Sequence, residues 1–172
     1  NPKEIRYRQD YMVAKTIMGQ LLKLNDYGEV EPDLVLEWQV SEDGKFYTLV
    51  IRPDAYFHSG KQATIQDVYF TLHFLSRPPS LIRHVFKNIE GYACYIKNQC
   101  DHIQGIQRVD STTLSIQLTA PSFTFLMDLA DPKVVMLPEN LNGLSEEEFF
   151  KKPDGIGPYR LVSKTDNNSE LI

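Results

Sequence analysis

The chain has 172 residues, 18 Lys+Arg against 23 Asp+Glu for a formal charge of −5, 42% hydrophobic and 24% charged residues. These proportions fit a globular protein of one domain, or of one and part of another. Apolar runs as short as Val134-Val135-Met136-Leu137 cannot cross a bilayer, an acidic chain without a basic block argues against capture of nucleic acid, the aromatic content excludes disorder, and two cysteines are too few for a disulfide scaffold.

From the N-terminus, Val13, Ile17, Leu21 and Leu24 recur at helical spacing and predict a helix over residues 11–24, weakened at Gly19. Asn25-Asp26-Tyr27-Gly28 is turn chemistry. Leu34, Leu36, Trp38 and Val40 then alternate with polar neighbours, which predicts a strand with one buried face and Trp38 as a core anchor. Ser41-Glu42-Asp43-Gly44-Lys45 joins it to a second strand over residues 46–51, a hairpin that Pro53 stops. Thr64 with Asp67 reads as a capping box opening a helix that Arg77-Pro78-Pro79 ends. Residues 80–87 suit one or two helical turns, and residues 90–97 a helix. A second hairpin spans residues 103–118, followed by a short aromatic helix over 123–129 and a buried strand over 133–137. Ser145 and Glu148 cap a further helix, and Asp154-Gly155-Ile156-Gly157-Pro158-Tyr159 is a glycine turn feeding a strand over 159–162. After it, residues 164–172 run out in polar residues without a closing element. The sum is a mixed α+β fold, mainly antiparallel sheet with short helices.

Few residues offer chemistry. His58, His73, His84 and His102 have no partner at metal-ligand spacing. His73 lies near an apolar helical face and reads as a packing residue; His58 and His102 read as solvated loop residues. Gly155-Ile156-Gly157 resembles a phosphate loop only superficially, because Pro158 removes a donor N–H where a cradle needs one. No nucleophile, base and orienter come together, so no enzymatic activity and no cofactor are expected. Cys94 and Cys100, on a continuous helix, would stand roughly 9 Å apart along the axis, beyond the reach of a disulfide. They pair only if the helix ends between them, which Asn98 allows; two reduced, half-buried thiols is the alternative.

The order of motifs is more informative than any one of them. Residues 36–52, with Trp38, Asp43-Gly44 and Arg52, then Phe57-His58-Ser59-Gly60-Lys61, Thr64-Ile65-Gln66-Asp67-Val68, Thr113-Leu114-Ser115-Ile116-Gln117-Leu118 and Gly155-Ile156-Gly157-Pro158-Tyr159 resemble, in collinear order, the family 5 extracellular solute-binding proteins. These are the oligopeptide-, dipeptide- and nickel-binding components of ABC importers. Ser59, Gln62 and Ile65 depart from the family's usual Asp or Asn, Pro and Ala.

The resemblance implies a periplasmic-binding-protein type II-like architecture. Residues 1–21 would be a segment of the first lobe, 22–153 a small inserted α+β domain, and 154–172 a return strand, so that the chain reads as an N-terminal fragment whose second lobe lies beyond it. It further implies a peptide or other small solute as ligand and ABC permease subunits as partners. A periplasmic or extracytoplasmic location, membrane-associated or free, follows, and the piece would be monomeric. In oligopeptide binders the inserted domain can line the cleft after its first helix, which makes Arg83 and His84 the candidate ligand-contacting residues; a solvated basic loop is the alternative. The competing functional reading is the solute-sensing domain of a cytoplasmic transcriptional regulator, and a hydrolase needs catalytic groups that these residues lack.

Overall fold

The computed structural model describes residues 1, 3, 8–165 and 168–171. Helix α1 (Arg8–Met18) ends where Gly19 turns left-handed at φ 70° and its N–H returns to Lys15 O at 3.2 Å. The predicted helix therefore overshoots by a turn and a half. Leu22–Leu24 is instead β1, paired antiparallel with β2 (Val30–Pro32). Leucine spacing fits either state here, and the glycine decides. Asn25 holds the intervening turn, its Oδ1 accepting the N–H groups of Tyr27 and Glu29, each at 2.9 Å.

The main sheet has strands β3 (Val35–Val40), β4 (Phe46–Ile51), β5 (Ile106–Arg108) and β6 (Thr113–Gln117) in the order β3-β4-β6-β5, all antiparallel. Both predicted hairpins are present. The buried face assigned to the first strand is not. A bulge between Val35 and Glu37 changes the alternation, so that Leu34 and Val35 enter the core while Leu36 and Val40 stay 41% and 44% exposed. Trp38 packs half-buried against the core.

Helix α2 (Ile65–Ser76) packs against β5 and β6. Its start is fixed by Asp67, a fully buried carboxylate that accepts from Thr64 N (2.8 Å), Thr64 Oγ1 (2.6 Å), Lys61 Nζ (3.0 Å) and Glu139 N (2.7 Å). Four donors offset the cost of burying the charge. The 3₁₀ turn Arg83–Phe86, α3 (Tyr92–Ile96) and α4 (Phe125–Leu129) follow in the predicted places. With α2 and the sheet they bury Leu49, Leu72, Leu75, Phe86, Ile89 and Leu114 in the larger core.

A second cluster lies beside it, built from Ile17 and Met18 of α1, Val135, Leu137, Leu141, Phe149 of α5 (Glu146–Lys151), and Leu161 of β7 (Leu161–Thr165). Residues 134–137 are buried as expected but form no strand. Their backbone is satisfied singly: Val135 bridges Gln20, Met136 N donates to Gly19 O at 3.1 Å, and Leu137 exchanges bonds with the Thr71 hydroxyl at 3.0 and 3.2 Å. The Ser145–Glu148 capping box is formed. The polar tail holds a further element after all, since β8 (Asn168–Leu171) pairs antiparallel with β7. The architecture is mixed α+β and mainly antiparallel, as the sequence implies.

Candidate functional site

Behind the Arg77-Pro78-Pro79 break, Ile82, Val85 and Phe86 are buried and anchor the 3₁₀ turn, which leaves Arg83 and His84 side by side on its exposed face. Arg83 Nε donates to Ser80 O at 3.1 Å. His84 has no side-chain hydrogen bond among the described residues. The turn thus presents two side chains able to meet a ligand, and among the described residues nothing around them assembles a reactive group.

Along the neighbouring face runs a stack that periodicity alone does not reveal. Arg108 of β5 lies 4.8 Å over the Tyr69 ring, Tyr69 is 4.2 Å from the His73 ring, His73 meets Tyr95 edge-on at 5.2 Å, and Arg77 caps Tyr95 at 4.3 Å. Tyr69, His73 and Arg77 share one helical face at spacings of four, a signal available in the sequence; Tyr95 and Arg108 come from other elements and give none. His73 is buried and held at both nitrogens, Nδ1 against Tyr69 O at 2.8 Å and Nε2 accepting Ile103 N–H at 3.0 Å. That pairing requires the neutral ring with its proton on Nδ1. Burial drives its pKa down to about 4; the hydrogen bond to Tyr69 O opposes this, and repulsion from His102, Arg77 and Arg108 adds to it. Burial likewise raises the phenols of Tyr69, Tyr92 and Tyr95, which stay neutral.

His102 is exposed, in keeping with a loop residue, but His58 is not the solvated turn residue expected. It is half-buried, its Nε2 donating to Gly157 O at 2.8 Å and its N–H to Gly155 O at 2.8 Å. Asp154 joins the same clasp, accepting from Ser59 N (2.8 Å) and Asn142 Nδ2 (3.0 Å). The glycine turn it grips is structural, as read from Pro158. Ile156, Gly157 and Tyr159 N–H groups donate to Met18, Ile17 and Thr16 carbonyls at 3.1, 2.8 and 3.1 Å, which satisfies the open end of α1.

Helix α3 stops at Ile96, Asn98 takes φ 56°, and the chain returns to bring the Cys94 and Cys100 Cα atoms to 5.4 Å, where the sulfurs form a disulfide. Among the described residues no three His, Cys, Asp or Glu side chains gather where they could hold a metal ion, and no helix is long and apolar enough to cross a membrane.

The chain is 27% identical over 165 residues to the HTH-type transcriptional regulator SgrR of Escherichia coli O6:K15:H31 (strain 536), covering 95% of this chain and 26% of that protein. It is 29% identical over 153 residues to the dipeptide-binding protein DppE of Bacillus subtilis (strain 168), covering 85% and 28%. Its fold superposes on Haemophilus influenzae OppA in complex with the peptide RPPGFSPFR with a TM-score of 0.88 at 20% identity, over 99% of this chain and 35% of that one. On Campylobacter jejuni NikZ in complex with Ni(L-His) the TM-score is 0.77 at 26% identity, over 99% and 32%. The chain therefore spans about a quarter to a third of the length of these relatives. The model of the bacterial extracellular solute-binding proteins, family 5 (middle) matches residues 29–171, and the chain belongs to that family.

Proposed function

We propose that this chain is part of the substrate-binding component of an ABC-type importer, with peptides as ligand class. The observation that carries the reading is the family match across residues 29–171, together with a fold shared end to end with a peptide-bound relative. In this reading residues 1–21 and 154–172 belong to the first lobe and 22–153 to a small inserted domain. The protein binds without chemistry, closes an opposing lobe over the solute, and hands it to permease subunits as a shift between open and closed populations. Arg83 and His84 are the proposed ligand contacts.

One observation favours a second reading. The regulator SgrR matches 95% of this chain, so a cytoplasmic solute-sensing domain is the alternative. The Cys94–Cys100 disulfide supports the importer, because disulfides persist in oxidising compartments and are rare in the cytosol. Fractionation of cells that make the protein, with thiols trapped by alkylation on lysis, separates the two. The importer reading expects the protein outside the cytoplasmic membrane with Cys94 and Cys100 oxidised. Recovery from the cytoplasm with both thiols free would overturn it in favour of the regulator.

A further inference from the structure

Between α2 and the outer strand β5 lies a depression of about 590 Å³, within the size range of small-molecule sites, lined by Tyr69, Glu90, His102, Gln104, Gln107 and Arg108. It is distinct from the Arg83–His84 turn. Arg108 is exposed but not free to swing. Its guanidinium lies 4.8 Å over the Tyr69 ring, Nη1 donates to Gln66 Oε1, and Gln66 Nε2 is itself tied to Glu139 Oε1 at 2.8 Å. A guanidinium held by its stacked face loses little rotamer entropy on pairing, and its remaining N–H groups form the fork that fits a carboxylate.

The backbone at Glu90, which also lines the depression, is fixed too. Glu90 N donates to Gln117 O at 3.0 Å and Gly105 N to Glu90 O at 2.8 Å. Gly91, at φ 80°, lets this backbone close on residue 104: a Cβ there would stand 2.7 Å from Gln104 N. Yet the Glu90 carboxylate has no hydrogen bond and no ion pair among the described residues, with Arg108 or any other group. One preplaced cation and one unpaired anion therefore share a depression without neutralising each other. From this we infer that the depression binds a small zwitterion, an amino acid or short peptide, with its carboxylate on Arg108 and its ammonium on Glu90.

The inference stands apart from the importer reading and is tested on the 172-residue chain. Backbone and arginine Nε–H resonances are followed by ¹⁵N NMR while dialanine, dialanine amide or N-acetyl-dialanine is added at constant ionic strength. Dialanine is expected to shift the Glu90, Gln104 and Arg108 signals saturably, and capping either end to weaken binding about tenfold or more, worth about 1.4 kcal/mol. Arg108→Gln and Glu90→Gln should each weaken dialanine to a similar degree. The inference is overturned if dialanine gives no saturable shift up to about 50 mM, or if both capped peptides bind as well as dialanine. The capped-peptide arm uses the unaltered chain, so a variant that misfolds leaves the test intact.

Discussion

At the scale of single residues, polar groups inside this protein are fixed by what donates to them. Asp67 is held in the interior by four donors, and His73 keeps its neutrality with one donor and one acceptor. For His73 the consequence is pH dependence. The folded ring titrates at about 4 and the unfolded one near 6.5, so between those values the unfolded chain binds more protons and stability rises with pH. The contribution is complete above pH 6.5 and is lost as pH falls toward 4. Urea titrations at pH 7.5 and 5 are expected to differ by about 2 kcal/mol from this group, and His73→Gln should remove that part of the difference. An unchanged pH dependence in the variant would refute the assignment. That His73 packs inward was legible from its helical face. That Ile103 N–H, thirty residues away, completes its pairing was not, because a backbone donor leaves no mark in a sequence. The same holds for His58, whose acceptor is the Gly157 carbonyl.

At the scale of elements, glycine and proline positions proved more informative than hydrophobic spacing. Leu21 and Leu24 fit a helical face, yet Gly19 ends α1, Leu21 falls outside the helix and Leu24 lies in a separate hairpin. Residues 34–40 alternate cleanly, yet the bulge at Val35/Glu37 exposes Leu36 and Val40. Capping pairs, by contrast, placed both Thr64 and Ser145 correctly, since they encode a local bond with no distant competitor. The glycine motif at 155–157 was legible as a turn but not as the cap of a helix 140 residues earlier. Its purpose gives a quantitative contrast. A Cβ on Gly157 would be driven onto the Thr16 and Ile17 carbonyls, which are backbone and cannot step aside, whereas Gly60 at φ 89° faces open space. Gly157→Ala is therefore expected to cost roughly 3 kcal/mol or more, and Gly60→Ala only about 1 kcal/mol of backbone strain. Chemical denaturation measures both, and equal losses would mean that the cap does not hold α1.

At the scale of the whole molecule, the two hydrophobic clusters pose the question of how many units unfold. The proposed lobe boundaries, after residues 21 and 153, both cut through the second cluster, which takes Ile17 and Met18 from one side, Val135, Leu137, Leu141 and Phe149 from the middle, and Leu161 from the other. Helix α2 stands between the clusters and serves both. Leu72 and Leu75 face the larger core, Phe70 packs on the smaller, and Phe74 packs against each. Phe74 also stacks 5.7 Å from Phe70 and 6.5 Å from Phe150, with Lys3 Nζ 3.5 Å over its ring. Thr71 ties the same helix to Leu137 through both of that residue's backbone groups. Neither cluster can lose its packing without exposing a face of α2, so the segments unfold as one body. Two probes sample different parts of it: Trp38, the chain's one tryptophan, reports the larger core, and far-UV circular dichroism reports all helices, including α1 and α5 of the smaller. Their urea transitions should share one midpoint. Phe74→Ala, which removes the shared ring at a cost of about 2–4 kcal/mol, should move both midpoints together. If instead the tryptophan signal stayed in place while the helical signal melted earlier, α2 would belong to the larger core alone, and the lobe boundary would also be a boundary of folding.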